Sequence, residues 1–471
     1  MSSAPTTPHS RVVIMGGGPG GYESALVAAQ LGAEVTVVDS DGIGGSAVLT
    51  DCVPSKTLIA TAELMAEMSG AAELGIDARD AEGDSATGVH VDLEKVNARV
   101  KLLAADQSAD IARRLERDGV RVLRGRGRLD GLGTVVADLA GGGSETLTAD
   151  AVLVATGAAP RTLPSAQPDG ERILTWEQVY DLTEVPTSLI VVGSGVTGAE
   201  FASAYQSLGI PVTLVSSRER VLPGEDADAA QVLEDVLKRR GMTVLSQSRM
   251  QSVSRDGDVV TVTLSDGREV QGSHCILALG SIPNTQDIGL EEAGVITDDG
   301  GFIKVDRVSR TSARGVYAAG DCTGVLMLAS VAAMQGRIAM WHFLGDAVAP
   351  LDLKRVSSNV FTAPEIATVG WSQRAIDAGE IQAETVMLPL RGNPRAKMQG
   401  VHDGFVKLFC RPGTGIVVGG VVVGPRASEL IHPVSLAVAE SLTADQLAQA
   451  FTVYPSMSGS VAEAARRLHH F

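Results

Sequence analysis

Cysteine is scarce in this sequence. Its 471 residues hold four, Cys52, Cys275, Cys322 and Cys410, far apart and without any paired spacing. A disulfide framework is therefore excluded, no metal site is expected, and a reducing cytoplasm is the compartment that fits. Positive charge is also short. With 39 Lys and Arg against 56 Asp and Glu, the net charge is −17, which argues against nucleic acid and anionic lipid surfaces as partners. No apolar run approaches the ~20 residues that cross a bilayer. The first ten residues lack the charged, apolar and small-residue zones of a secretory signal. A cytoplasmic protein with no stable membrane insertion is the expectation.

Glycine, by contrast, is plentiful, and it clusters directly after strand-like runs, as in α/β nucleotide folds. The length calls for two to four domains. The run RVVIM (residues 11–15) reads as a buried strand and leads straight into Gly16, Gly18 and Gly21, spaced G-x-G-x-x-G, with a helical stretch over residues 22–31. A second strand, residues 34–38, ends at Asp39, about 20 residues on, where a ribose hydroxyl partner is expected. In this context the free amides of the helix N-terminus receive a pyrophosphate. At residue 188 the pattern starts again: a strand over 189–192, then Gly193, Gly195 and Gly198, then a helix over 199–208 and a strand over 212–215. AVLVATG (residues 151–157) is echoed by CILALG (residues 275–280). Two fingerprints, each followed by its closing strand, imply two dinucleotide-binding lobes and hence two dinucleotides.

Residues 44–56, GGSAVLTDCVPSK, carry half of a redox motif. They resemble the flavin disulfide reductases, the family of dihydrolipoamide dehydrogenase, glutathione reductase and mercuric reductase, in which a Gly-Gly pair precedes two cysteines spaced C-x4-C and then Pro-Ser-Lys. Cys52, Pro54, Ser55 and Lys56 match; the earlier cysteine position holds Ala47. The resemblance covers about residues 11–467. It implies FAD held by Gly16, Gly18, Gly21, Asp39, Gly45, Cys52, Gly127, Thr156, Gly157, Asp321, Met327, Leu328 and Ala329, with Lys56 beside flavin N5. GVYAAGD (residues 315–321) would place the Asp321 carboxylate on the ribityl chain, so the first lobe resumes after the second. It also implies that Glu200 pairs with Lys56 at the nicotinamide, and that Gly193, Gly195, Gly198 and Gly280 belong to the second nucleotide site. The expected fold is α/β, with two Rossmann-like domains, the second inserted in the first, and a C-terminal α+β dimerisation domain. The FAD-binding domain would span residues 1–157 and 278–348, the NAD(P)-binding domain 158–277, and the dimerisation domain of a homodimer 349–471.

The nucleotide flavour is set after the strand over 212–215. No acid stands at Ser216, and Ser217, Arg218 and Arg220 follow, so a 2′-phosphate is accommodated and NADPH is expected alongside NADH. Two further departures accompany Ala47. Where the family carries His-Pro and a Glu five residues past the His, this sequence has Tyr454-Pro455 and Gly459. Tyrosine, with a reference pKa near ~10, does not replace histidine as the base of thiol-disulfide exchange. One thiol and a methyl group form no disulfide relay. The expected activity is that of an FAD-dependent NAD(P)H:quinone oxidoreductase, the quinone reductase branch of the resemblance, with Lys56, Glu200 and Tyr454 as its catalytic residues. Tyr454, from the partner subunit, would donate a hydrogen bond to a quinone oxygen. The rival readings are a soluble pyridine nucleotide transhydrogenase and a non-catalytic FAD-binding adaptor.

Overall fold

The computed structural model describes residues 10–76 and 90–469. The polar, Gly- and Asp-rich break expected near residues 81–88 lies outside them. The chain divides into two compact units. One comprises the chain through Ser55, Ala98–Arg161 and Ser281–Asp352; the other comprises Lys56–Asn97, Thr162–Gly280 and Leu353–Phe471.

The first unit is built on a seven-stranded sheet in the order Val316–Ala318, Ala151–Val154, Arg11–Met15, Glu34–Asp39, Arg121–Leu129, Thr134–Leu139 and Ser144–Thr148. The first five strands run parallel. The last two continue as an antiparallel meander. The central strand RVVIM is apolar at successive positions because both faces of a parallel sheet are covered. Val12 and Ile14 face Ala25, Leu26 and Ala28, while Val13 and Met15 face Val135, Ala137, Ile288 and Leu290. The helices Pro19–Gln30 and Ala329–Leu344 meet at glycines. A Cβ on Gly336 would lie 2.2 Å from the Gly20 carbonyl oxygen, so this crossing requires a residue without a side chain.

The second unit holds a five-stranded parallel sheet in the order Thr243–Leu245, Val212–Val215, Leu189–Val192, His274–Leu277 and Ile173–Thr175. In both parallel sheets the closing strand lies beside the fingerprint strand, which lies beside the ribose strand. The repeat read from the glycines is thus a repeat of topology. The unit also contains an antiparallel sheet of Ser357–Val360, Glu365–Gly370, Val417–Gly424, Phe405–Cys410 and Glu384–Pro389. The helices His432–Ala439, Ala444–Gln449 and Gly459–Arg466 contribute Val434, Leu447 and Ala464 to a core with Leu408 and Val422 of this sheet.

Both fingerprint helices begin about three residues earlier than the sequence suggests, at Pro19 and Val196. The last two glycines of each loop belong to the helix or its start, because the first turn forms as soon as the chain clears the preceding strand. The final sheet strand starts at Val417, two residues after the expected point. Among the described residues no helix is long and apolar enough to cross a membrane.

Candidate functional site

The two glycine loops have nearly the same geometry. Gly16 has φ +107°, and a Cβ there would lie 2.2 Å from the Ala155 carbonyl oxygen; Gly193 has φ +111°, and its Cβ would lie 2.1 Å from that of Ala278. A Cβ on Gly21 would sit 1.9 Å from the Gly16 carbonyl oxygen, and one on Gly198 would sit 1.8 Å from that of Gly193. The first and third glycines are therefore demanded by backbone contact. The middle glycines differ in kind: no atom crowds Gly195, and Gly18 meets just the Gly45 Cα at 3.9 Å. That open approach, above a helix N-terminus with no side-chain cap and no acid in its first turn, fits a dinucleotide pyrophosphate.

In the first unit Gly44 and Gly45, which open the motif, close onto this cradle. The Gly44 N–H donates to the Gly17 carbonyl at 2.8 Å, and Gly45, with φ +59°, approaches Gly18 so closely that a Cβ would lie 2.8 Å from its Cα. Asp39 Oδ2 accepts the Gly17 N–H at 2.7 Å, and Oδ1 accepts those of Gly42 and Asp41 at 2.5 and 3.1 Å. The Asp39 carboxylate is thus held at the lip of the first loop. Thr156 and Gly157 follow the closing strand, and Asn284 binds both of their carbonyls at 3.0 Å. Met327 is exposed, and Leu328 caps the helix that Ala329 opens. Gly127 lies in the strand Arg121–Leu129, where a Cβ would approach the Met15 side chain at 3.1 Å. Core packing gives that glycine its reason. Cys52 opens the helix Cys52–Ser69 and forms no disulfide. Ala47 lies in the short helix Gly45–Leu49.

Asp321 follows Gly320 at the end of the strand Val316–Ala318. Burial, and then the nearby Asp51, push its carboxyl up from 3.8 to about 6. An acid shifted upward is favoured neutral in the fold, so its ionisation opposes folding as pH rises from about 4 to about 6. Asp321→Asn is expected to stabilise the FAD-stripped protein above pH 6, by about 1–3 kcal/mol, and to change nothing below pH 4. Thermal melts across that range would check this, and an equal gain at both ends would remove ionisation as the cause.

In the second unit Glu200, 4% exposed, has both oxygens engaged. Oε2 accepts the Lys56 ammonium at 2.8 Å and Oε1 accepts the Phe361 N–H at 2.9 Å. The Phe361 ring also lies under Lys56, 5.0 Å from Nζ to its centroid. Beyond it, the Ala363 N–H donates to Ser203 Oγ at 3.0 Å. The pair expected from the resemblance is formed, with a third member that sequence reasoning missed. Phe361 lies within residues 349–471, read from sequence as the dimerisation domain, and an N–H donor leaves no side-chain signature.

The loop that follows the strand Val212–Val215 begins with Ser216, fully buried, whose Oγ lies 2.6 Å from Ser194 Oγ and accepts the Arg218 N–H at 3.1 Å. Ser217 and Arg218 are exposed. Arg220 is half-buried, and its Nε is a buried donor with no partner among the described residues. An unsatisfied guanidinium Nε in a loop without an acid at Ser216 suits an anionic ligand group. Gly280 has φ +87° and open space at its Cβ position. Tyr454 is 82% exposed, beside Val453 at 78% and a fully exposed Phe451, and Gly459 opens the last helix.

The pyridine nucleotide-disulphide oxidoreductase model matches residues 10–336, and the dimerisation domain of the same family matches residues 356–465. The chain belongs to the pyridine nucleotide-disulphide oxidoreductase family, flavoenzymes that use FAD and NAD(P)H. It is 57% identical over 470 residues to the NAD(P)H dehydrogenase (quinone) of Mycobacterium tuberculosis strain H37Rv, with 98% of this chain and 94% of that one covered. It is 32% identical over 460 residues to the dihydrolipoyl dehydrogenase of Zymomonas mobilis, with 97% of each covered. The crystal structure of LpdA from Mycobacterium tuberculosis matches with a TM-score of 0.92 at 56% identity, over 98% of this chain and 100% of that one.

Proposed function

We propose that this protein is a cytoplasmic, homodimeric NAD(P)H:quinone oxidoreductase. The observation that carries the reading is an intact hydride entry without a dithiol exit: two formed dinucleotide cradles and a Lys56–Glu200 pair at 2.8 Å, against Ala47, Tyr454 and Gly459 where the relay and its base would stand. In this reading residues 1–157 and 278–348 would bind FAD, 158–277 would bind NAD(P)H and 349–471 would form the dimer interface. FAD, when bound, takes a hydride from the nicotinamide and passes the electron pair to a second acceptor. Gly16, Gly18, Gly21, Asp39, Gly45, Thr156, Gly157, Asp321 and Ala329 would hold it. The Lys56 ammonium stabilises electron density developing beside it, and Glu200 orients that ammonium. Gly193, Gly195 and Gly198 seat the nicotinamide nucleotide, with Arg218 and Arg220 reading a 2′-phosphate.

A quinone suits the exit because it is flat, accepts two electrons and needs proton donors in place of a nucleophilic thiolate. Tyr454, presented on an exposed apolar segment of the dimerisation domain, would donate to a quinone oxygen across the homodimer. The 57% identity to a quinone-reducing relative supports the same acceptor class.

The test is anaerobic NADPH oxidation by the yellow holoenzyme with a soluble naphthoquinone, beside lipoamide, glutathione disulfide and a thio analogue of NAD. Fast quinone turnover with silent disulfides is expected. Disulfide turnover would overturn the relay-less reading, hydride transfer to the thio analogue at a comparable rate would make the protein a transhydrogenase, and an unreduced flavin would make it an adaptor.

A further inference from the structure

One buried charge has no part in the machinery above. Lys407 is 2% exposed in the strand Phe405–Cys410, among Phe405, Val406, Leu408 and Phe409, each at most 3% exposed. Its Nζ lies 2.9 and 2.8 Å from the two carboxylate oxygens of Asp226 and 2.6 Å from Asp228 Oδ2. The Asp226 side chain is 3% exposed and that of Asp228 is 58% exposed. Stability by itself is a weak reason for such a group, since apolar residues of similar volume commonly replace a buried ion pair without loss.

What the lysine meets is more telling. Asp226 caps the helix Ala227–Arg239, accepting the N–H groups of Asp228 and Ala229. That helix follows directly on the loop of residues 216–225, which carries Arg218 and Arg220. From 216 to 228 the chain sets four acids, Glu219, Glu225, Asp226 and Asp228, against those two arginines. Burial, and after it the adjacent Asp226, raise the Glu225 carboxyl above its ordinary value. A helix N-terminus ordinarily favours an anion, but here two fixed carboxylates already occupy it. A 2′-phosphate arriving nearby brings up to two further negative charges; an unphosphorylated ribose brings none.

We propose that Lys407 biases nucleotide choice toward the phosphorylated form, by neutralising the acidic start of helix Ala227–Arg239 so that the adjacent loop tolerates a 2′-phosphate. This rests on the reading of that loop as the 2′-phosphate site. Lys407 is a positioning and field-setting residue of the C-terminal sheet, outside the residues assigned above to either nucleotide.

The measurement is the ratio of KM for NADPH to KM for NADH in the holoenzyme, with kcat alongside. Lys407→Met is expected to raise the ratio about threefold to fivefold with kcat unchanged, and Asp228→Asn, a mild change at an exposed side chain, to lower it about twofold. Both shifts should shrink as salt is added. Lys407→Met/Asp226→Asn, which restores the charge count, should return the ratio close to its starting value. If Lys407→Met fails to fold, Asp228→Asn still decides. Arg218→Ala/Arg220→Ala is made in parallel. If that pair leaves the ratio unmoved, the loop reading fails and the inference falls with it. If it shifts the ratio while the Lys407 and Asp228 variants do not, the inference fails by itself and Lys407 is a structural brace. A ratio that the charge-restored double variant does not recover overturns the electrostatic account in the same way.

Discussion

Lys56→Met is expected to yield a folded, yellow protein whose flavin is reduced by NADPH at least about a hundredfold more slowly than in the native enzyme. The magnitude is that of removing one pre-oriented charge from the position where negative charge develops, about 10²–10³ in rate. The ammonium is pre-oriented on two sides, by Glu200 at 2.8 Å and by the Phe361 ring at 5.0 Å, so it does not have to be reorganised during the step. Methionine keeps the length of the side chain and discards the charge. The substitution leaves the buried Glu200 carboxylate without its counter-ion, a destabilising change in a buried pair. Lys56→Met/Glu200→Gln separates the two effects, because it removes the stranded charge and should recover Tm while the reduction rate stays low. Stopped-flow bleaching of the flavin band is the readout. An unchanged rate in either variant would remove Lys56 from the catalytic step.

Gly198→Val is expected to abolish NAD(P)H binding and with it turnover from either nucleotide, a loss beyond about a thousandfold. The reason is a distance. A Cβ at this position would lie 1.8 Å from the Gly193 carbonyl oxygen, far inside van der Waals contact, and that carbonyl belongs to the turn that must present its amides to the pyrophosphate. A β-branched side chain on the first helical turn forces the turn open. Titration of nucleotide against the flavin absorbance would detect binding, and retained affinity would mean that the loop yields without losing its geometry. The same substitution at Gly195 serves as a contrast. No atom crowds it, so valine there should leave the protein folded and obstruct the ligand itself.

By itself the sequence determined the two nucleotide cradles. A turn that needs φ near +107° and +111° and a carbonyl within 2.2 Å of the missing Cβ admits one residue type, so the requirement is written locally, at fixed spacing, twice. It also determined which parts of the family's chemistry are missing, because Ala47, Tyr454 and Gly459 are identities that no fold can alter. The helix starts were displaced by about three residues, since glycine reads as turn in a sequence while its backbone joins a helix readily when the next turn supplies the hydrogen bonds.

Only the tertiary structure decided how the site is held. Glu200 meets Lys56 across 144 residues and the Phe361 N–H across 161, and Lys407 meets Asp226 across 181. The first of these was expected by resemblance. The others were not, because a backbone amide and a lysine in an otherwise apolar strand carry no period and no motif. Their partners come within reach when separate sheets and helices pack together, and packing depends on shape and burial over the whole unit, where spacing along the chain has no hold.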